Sequence, residues 1–352
     1  MSKMLEETRQ QPNALARTLE EALTSIEELR SHFLRRRPRA VILVARGTSD
    51  NAAQFGRYLI EITTRIPVSL AAPSVITLYG APLDLEGVLV VAISQSGESS
   101  DTNAVLEDAR ARGALTVGIT NESSSRMAKI ADHLLLARAG REESVAATKT
   151  YTCQLMALYL LAYALGGNVS IGMLRRLPEW VEGVLDLEDS VAEIAERYTF
   201  MTRAVAVGRG LNYSNALELG LKLMETCYVV AERFSAADLM HGPIAMVEHA
   251  FPVFVFAPSG VTWPSISEVL DRVKDLKAET LVFTDSANAG ACAKPARLVQ
   301  LPIPSVPIEG PEDLYTPIPY IVPAQLFAAH LAWIKGFNPD RPRTLHKITM
   351  TM

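Results

Sequence analysis

Three acid–base side chains sit on one short stretch of the second half of this chain. Glu218, Lys222 and Glu225 fall at i, i+4 and i+7, so a helix over 215–225 projects all three from one face. Their neighbours are Leu219, Gly220, Leu221, Leu223 and Met224, which leaves little of that helix free to face water. A lysine beside two carboxylates holds one of them ionised while burial raises the other. Such a pair suits proton transfer at a carbon next to a carbonyl. The same spacing also serves an exposed ion-pair stripe. His241 stands just before a Gly242-Pro243 turn. Histidine is the side-chain type that can gain or lose a proton near neutral pH, which fits handling the ring oxygen of a sugar, and a lone histidine is as readily structural. No second His or Cys stands at ligand spacing, so metal binding lacks support. Lys347 lies in a tail that ends in apolar and threonine residues. Docked and desolvated, it becomes a nucleophile toward a carbonyl; exposed, it is an ordinary tail lysine.

A second kind of chemistry is written into Ser94-Gln95-Ser96-Gly97-Glu98-Ser99-Ser100, which follows the apolar run at 88–93 directly. Small hydroxyl residues around one glycine let backbone N–H groups and hydroxyls converge on phosphate oxygens at the start of the next helix. Taken locally, a Ser/Gly-rich strand-to-helix turn also serves simply as a turn.

These residues need a scaffold, and the chain supplies it twice. The apolar run ending at Arg46-Gly47 is echoed by the run ending at Arg209-Gly210. Gly47 to Gly210 and Ser96 to Ser259 are both 163 residues apart, and Thr120 to Thr284 are 164 apart. Accidental strand resemblance does not hold an offset so constant, so two copies of one domain follow. Within each copy, short β-rich runs alternate with helical patterns. That alternation predicts βαβ units forming a parallel sheet with helices on both faces. Ligands of such sheets bind at the carboxyl ends of the strands, where the loops above lie.

At 352 residues the chain exceeds one ordinary core. Net charge is −5 and the basic run is confined to Arg35-Arg36-Arg37 and Arg39, which argues against a nucleic-acid binder. Cys153, Cys227 and Cys292 have neither metal-like nor redox-like spacing and point to a reducing compartment. The expectation is a cytoplasmic protein without a signal peptide, with no apolar run of membrane-spanning length and with no membrane partner. An amphipathic helix is predicted near 13–35 and an apolar, buried helix near 153–165. The Pro-rich passage at 301–311 reads as a loop that rejoins structure at 319–323.

Taken together, Gly47-Thr48-Ser49, Ser94 to Glu98, Val145-Ala146-Ala147-Thr148-Lys149, Gly208-Arg209-Gly210, Glu218, Lys222, Glu225, His241-Gly242-Pro243 and Lys347 resemble the double-SIS (sugar isomerase) family, specifically the isomerase part of glucosamine-6-phosphate synthase. The resemblance runs from Gln11-Pro12 to the last residues. It implies an α/β fold of two tandem SIS domains, each a three-layer α/β/α sheet, with an N-terminal helical segment (1–37), a first domain with trailing helices (38–195), a second domain (196–335) and a docked tail (336–352). It implies further that Thr48, Ser49, Ser94, Gln95, Ser96 and Ser99 hold the phosphate, with Val145 and Ala147 near the sugar. Glu225 would move the proton between C1 and C2, Lys222 would assist at the neighbouring oxygen, and Glu218 completes the cluster. His241, from the partner subunit of a homodimer, would open the ring, and Lys347 would form an imine with the open-chain ketose.

The synthase carries a glutaminase domain with a nucleophilic cysteine, and this sequence shows neither it nor any cysteine before Cys153. Ala147 and Ser99 stand where the family has serine and threonine, and Arg46 and Asp50 also depart from it. The resulting expectation is a glucosamine-6-phosphate deaminase that needs no metal or nucleotide cofactor, because carbonyl and imine supply the electron sink. A fructosamine-6-phosphate deglycase, a galactosamine-6-phosphate deaminase/isomerase, an ammonia-dependent fructose-6-phosphate aminotransferase and a non-catalytic sugar-phosphate sensor stay open beside it.

Overall fold

The computed structural model describes residues 2–294, 296–304 and 307–344. They form two units. One comprises 13–142 and 149–175, the other 2–12, 143–148 and 176–344.

The first unit is built on five strands: β1 (Ala40–Val44), β2 (Val68–Leu70), β3 (Val88–Ile93), β4 (Leu115–Thr120) and β5 (His133–Leu136). Their order is β2-β1-β3-β4-β5, and every ladder is parallel. β3 is buried along its whole length, which is why it reads as an unbroken apolar run rather than an alternating one. The strand order reverses between β1 and β3. Their carboxyl ends open into the loops at 45–48 and 94–99, each followed by a helix, Thr48–Thr64 and Ser100–Ala111. A crevice at such a reversal is where open α/β sheets take their ligands. The helix Lys149–Ala164 is buried almost throughout. It packs on Thr48–Thr64, with Phe55 meeting Tyr159 edge-on at 5.0 Å.

The second unit repeats the plan with β6 (Arg203–Gly208), β7 (Val230–Ser235), β8 (Pro252–Ala257), β9 (Glu279–Asp285) and β10 (Arg297–Leu301), all parallel, in the order β10-β9-β8-β6-β7. Read from β7, this is the topology of the first sheet. Helices flank both sheets, as the sequence predicts. Residues 336–344 are docked within this unit: Phe337 packs on Tyr228 at 4.8 Å, and Asp340 accepts from Ser2 Oγ and from the backbone N–H of Lys3 and Met4 at the start of the helix Lys3–Arg9.

One expectation is corrected. The passage from Pro317 is a single helix, Pro317–Ile334, which by length and composition is apolar enough to cross a membrane, and 83% of it is buried within the protein. The sequence predicts structure resuming at 319–323 but no apolar run of such length. Two of its prolines, Pro317 and Pro319, fall in the first turn, where no intrahelical N–H bond is lost.

Candidate active site

The acid–base cluster lies on the helix Tyr213–Cys227, which follows β6 through a short turn at Gly210–Asn212. Asn212 Nδ2 donates to Thr316 Oγ1 at 2.7 Å and Asn215 Nδ2 to the Pro317 carbonyl at 2.9 Å, which fixes the start of this helix to the start of Pro317–Ile334. Ala216, Leu219 and Leu223 are fully buried. The helix also presses close to β7, since a Cβ on Gly220 would lie 2.4 Å from Arg233 Cγ.

On this buried helix Lys222 Nζ stands 2.6 Å from Glu225 Oε2 and 3.4 Å from Glu218 Oε1. The side chains of Glu218 and Lys222 are 0% and 1% exposed, whereas that of Glu225 is 24% exposed. An exposed stripe is therefore excluded. Glu218 and Lys222 form the buried part of the pair of contacts, and Glu225 is the carboxylate that a ligand can reach. His241 is exposed and ends the short helix Ala236–Met240. Val145 is half-buried and Ala147 buried, in the segment 143–148. Lys347 lies outside the described residues.

In the first unit the hydroxyl loop is held in a tight form. Gly97 has φ +66°, and its N–H bonds Ser94 Oγ at 3.2 Å. A Cβ there would come within 2.2 Å of Ser125 Oγ, so only glycine fits. Asn103 Nδ2 donates to the Gly97 carbonyl at 3.0 Å, and the Glu98 N–H bonds Ser96 Oγ at 3.2 Å. Ser99 Oγ lies 3.0 Å from Thr102 Oγ1 at the head of the next helix. Thr48 and Ser49 begin the helix after β1. Thr48, Ser49, Ser94, Gln95, Ser96 and Ser99 thus all belong to the two loops at the β1/β3 reversal, at the starts of two helices whose dipoles favour an anion.

Sequence reasoning missed the groups that hold these loops. Gln95 Nε2 donates to Glu142 Oε2 at 3.2 Å, while Glu142 Oε1 accepts from the Thr150 N–H at 3.3 Å. Ser49 Oγ accepts from Gln154 Nε2 at 2.9 Å. Arg46 is paired to Asp101 at 2.6 Å. A glutamine inside an apolar helical run was the only signal available for Gln154.

The corresponding reversal in the second unit, between β6 and β8, is built differently. There the Ser259-Gly260 turn meets a segment carrying Glu312 and Asp313: a Cβ on Gly260 would lie 3.0 Å from Glu312 Cβ, and Thr262 Oγ1 donates to Asp313 Oδ2 at 3.3 Å. Burial pushes the Asp313 carboxyl up to about 6. Carboxylates at this turn oppose a phosphate, whereas hydroxyls at the first do not. Among the described residues no cluster of His, Cys, Asp and Glu has the makings of a metal site.

A family model described as SIS domain matches residues 34–164 and 201–335. The chain belongs to the SIS domain family. It is 41% identical over 314 residues to glutamine–fructose-6-phosphate aminotransferase [isomerizing] of Pyrococcus horikoshii, covering 87% of this chain and 51% of that protein. This SIS protein therefore spans about half the length of that relative. Among solved structures, the C-terminal domain of glucosamine-fructose-6-phosphate aminotransferase from Francisella tularensis matches with a TM-score of 0.86 at 28% identity, covering 97% of this chain and 98% of that one. A glucosamine-6-phosphate deaminase from Thermotoga maritima, at 24% identity and a TM-score of 0.79 over 99% of this chain and all of that one, shares the fold.

Proposed function

We propose that this SIS protein acts on an amino-sugar phosphate and interconverts glucosamine 6-phosphate and water with fructose 6-phosphate and ammonia. The observation that carries the reading is Lys222 held between a buried Glu218 and an accessible Glu225. A module that only bound sugar phosphates has no use for a buried lysine between two carboxylates, and holding such a charge inside a protein is costly unless it is paired.

In the deaminating direction His241, supplied by the partner subunit of a homodimer, assists ring opening. The Glu225 carboxylate takes the proton from C2 of the open-chain aldehyde and returns it to C1. O1 gains a proton, with Lys222 beside it, and the nitrogen loses one, so that a ketimine forms at C2. Water adds to the C=N bond, which breaks to give the ketose and ammonia. In the aminating direction the Lys347 amine condenses with the C2 carbonyl of the open-chain ketose and expels water, and ammonia then replaces the lysine at that C=N bond, which frees the lysine amine. The phosphate is bound by Thr48, Ser49, Ser94, Gln95, Ser96 and Ser99, with Val145 and Ala147 against the sugar. The reading is supported by the hydroxyl loops at the first sheet's reversal and by the carboxylates at the second.

The name carried by the Pyrococcus relative favours a second reading, the same chemistry run from fructose 6-phosphate toward the amino sugar. Ammonia release from glucosamine 6-phosphate, galactosamine 6-phosphate and a fructosamine 6-phosphate tests the first, and glucosamine 6-phosphate formation from fructose 6-phosphate with ammonium tests the second. Release from another sugar keeps the proton transfer and changes the substrate. Binding of all three without turnover overturns the enzyme reading in favour of a sensor.

A further inference from the structure

Gln154 lies in the second turn of Lys149–Ala164, a helix buried almost throughout, and is itself fully buried. Its Nε2 donates to Ser49 Oγ at 2.9 Å, while its Oε1 finds no hydrogen-bond partner among the described residues. A buried amide left half satisfied is destabilising by itself. Its one bond therefore requires an explanation, and Ser49 supplies it.

A serine hydroxyl has one proton to give and two lone pairs to receive with. Ser49 receives from Gln154, and among the described residues no acceptor takes its proton. Ser49 is itself buried, at the second position of the helix Thr48–Thr64 and at the mouth of the β1/β3 reversal. With an amide N–H fixed on one side of the oxygen, the O–H is left to point elsewhere. The remaining direction for it is the crevice where the helix start already favours an anion. We propose that Gln154 is a positioning residue that sets Ser49 as a hydrogen-bond donor to a phosphoryl oxygen, without itself touching the ligand. This rests on the phosphate reading of the first crevice.

Two substitutions separate donor from shape. Gln154→Met keeps the length and removes the donor. Gln154→Glu keeps the shape and, as an acceptor, draws the Ser49 proton inward. Each is measured for inorganic phosphate affinity, for KM and kcat of ammonia release from glucosamine 6-phosphate, and for Tm, alone and in a Ser49→Ala background. The expected result is phosphate binding weakened on the order of tenfold in both, more in Gln154→Glu, since a hydrogen bond to a charged group has that worth. The loss falls on KM rather than kcat and disappears in the Ser49→Ala background. Wild-type phosphate affinity in both variants, or an equal loss with and without Ser49, overturns the inference while leaving the crevice intact. A wild-type protein that binds neither inorganic phosphate nor any of the sugar phosphates overturns the phosphate reading, and this inference falls with it.

Discussion

Lys222 Nζ is 2.6 Å from Glu225 Oε2, one helical turn along the same face, and it is the only one of the two groups that is closed to solvent. That asymmetry assigns different work to the neighbouring carboxylates. Glu218 is fully buried 3.4 Å from the lysine, whereas Glu225 keeps a quarter of its side chain exposed, as the proposed proton transfer requires of it.

Glu225→Gln keeps the shape and removes the base. Turnover of glucosamine 6-phosphate should fall by about 10²–10⁴-fold, the usual worth of a positioned proton-transfer group. Affinity for the sugar phosphate should stay within a few-fold, because the proposed phosphate site lies on the hydroxyl loops of the first unit. Single-turnover rates and equilibrium binding measured on the same preparation check both halves. A variant as fast as the parent removes the assignment.

Lys222→Met tests the buried partner. It removes the lysine that lies 3.4 Å from the buried Glu218 and 2.6 Å from Glu225, and breaking a buried pair by removing one partner destabilises by about 3–5 kcal/mol. Adding Glu218→Gln removes the carboxylate that faced the lysine, so the double variant should regain part of the lost Tm without regaining turnover. Thermal unfolding of the two variants reads this directly. Equal Tm values for the single and double variants would show that the lysine does not hold Glu218 in place.

Gly97→Ala places a methyl group 2.2 Å from Ser125 Oγ at a residue with φ +66°. Overpacking of this kind destabilises by about 1–3 kcal/mol and displaces the loop. The expected outcome is a lower Tm together with lost phosphate affinity. Adding Ser125→Gly makes room for the methyl and restores part of both. The backbone strain and the loss of the Ser125 cap on Arg126–Ile130 keep the recovery incomplete.

Burial pushes the Cys153 and Cys227 thiols up to about 12, so both stay protonated and shielded at pH 8. Cys292 is only half-buried. An aromatic disulfide reagent should therefore titrate one thiol in the folded protein and three in denaturant. Fast reaction of two or more thiols in the native state would contradict the packing around Ala14, Ala137 and Ala139, which enclose Cys153.

The parts of the fold legible in the sequence are those where one physical term dominates. β1, β3, β4, β6, β8 and β9 are the central strands of their sheets, mostly buried, and each reads as a largely apolar run ending at a turn. The edge strands β2, β5, β7 and β10 do not, because solvent permits residues such as Ser69, His133, Glu232 and Gln300 within them. The sequence reads as resuming structure at 319–323, but the length of Pro317–Ile334 is not legible in it, because Pro317, Pro319 and Pro323 all fall within that helix. In the acid–base cluster, spacing alone brought Glu218, Lys222 and Glu225 together, since i+4 and i+7 positions fix a helix face. Spacing could not reveal Gln154 and Glu142. Their partners, Ser49 and Gln95, lie 105 and 47 residues away and become neighbours only when the sheet forms.

Asp313 yields a prediction whose sign follows from its environment. Asp313 is 2% exposed, and burial raises its pKa from 3.8 to about 6, with the bond from Thr262 Oγ1 opposing the shift. The folded state therefore holds the Asp313 proton more tightly than the unfolded chain does. The resulting stabilisation is complete below about pH 4, declines as pH rises through about 6, and is absent above that. A difference of roughly two pKa units corresponds to about 3 kcal/mol between the two limits. Asp313→Asn retains an oxygen for Thr262 and carries no charge. Relative to the variant, the parent should lose stability steadily between pH 4.5 and 7, so that Asp313→Asn is the more stable protein at pH 7.5. Urea unfolding of both proteins across this range measures the difference. A constant gap between the two curves would mean that the carboxyl ionises inside the fold as freely as it does in water, and that the segment over the second crevice carries no trapped proton.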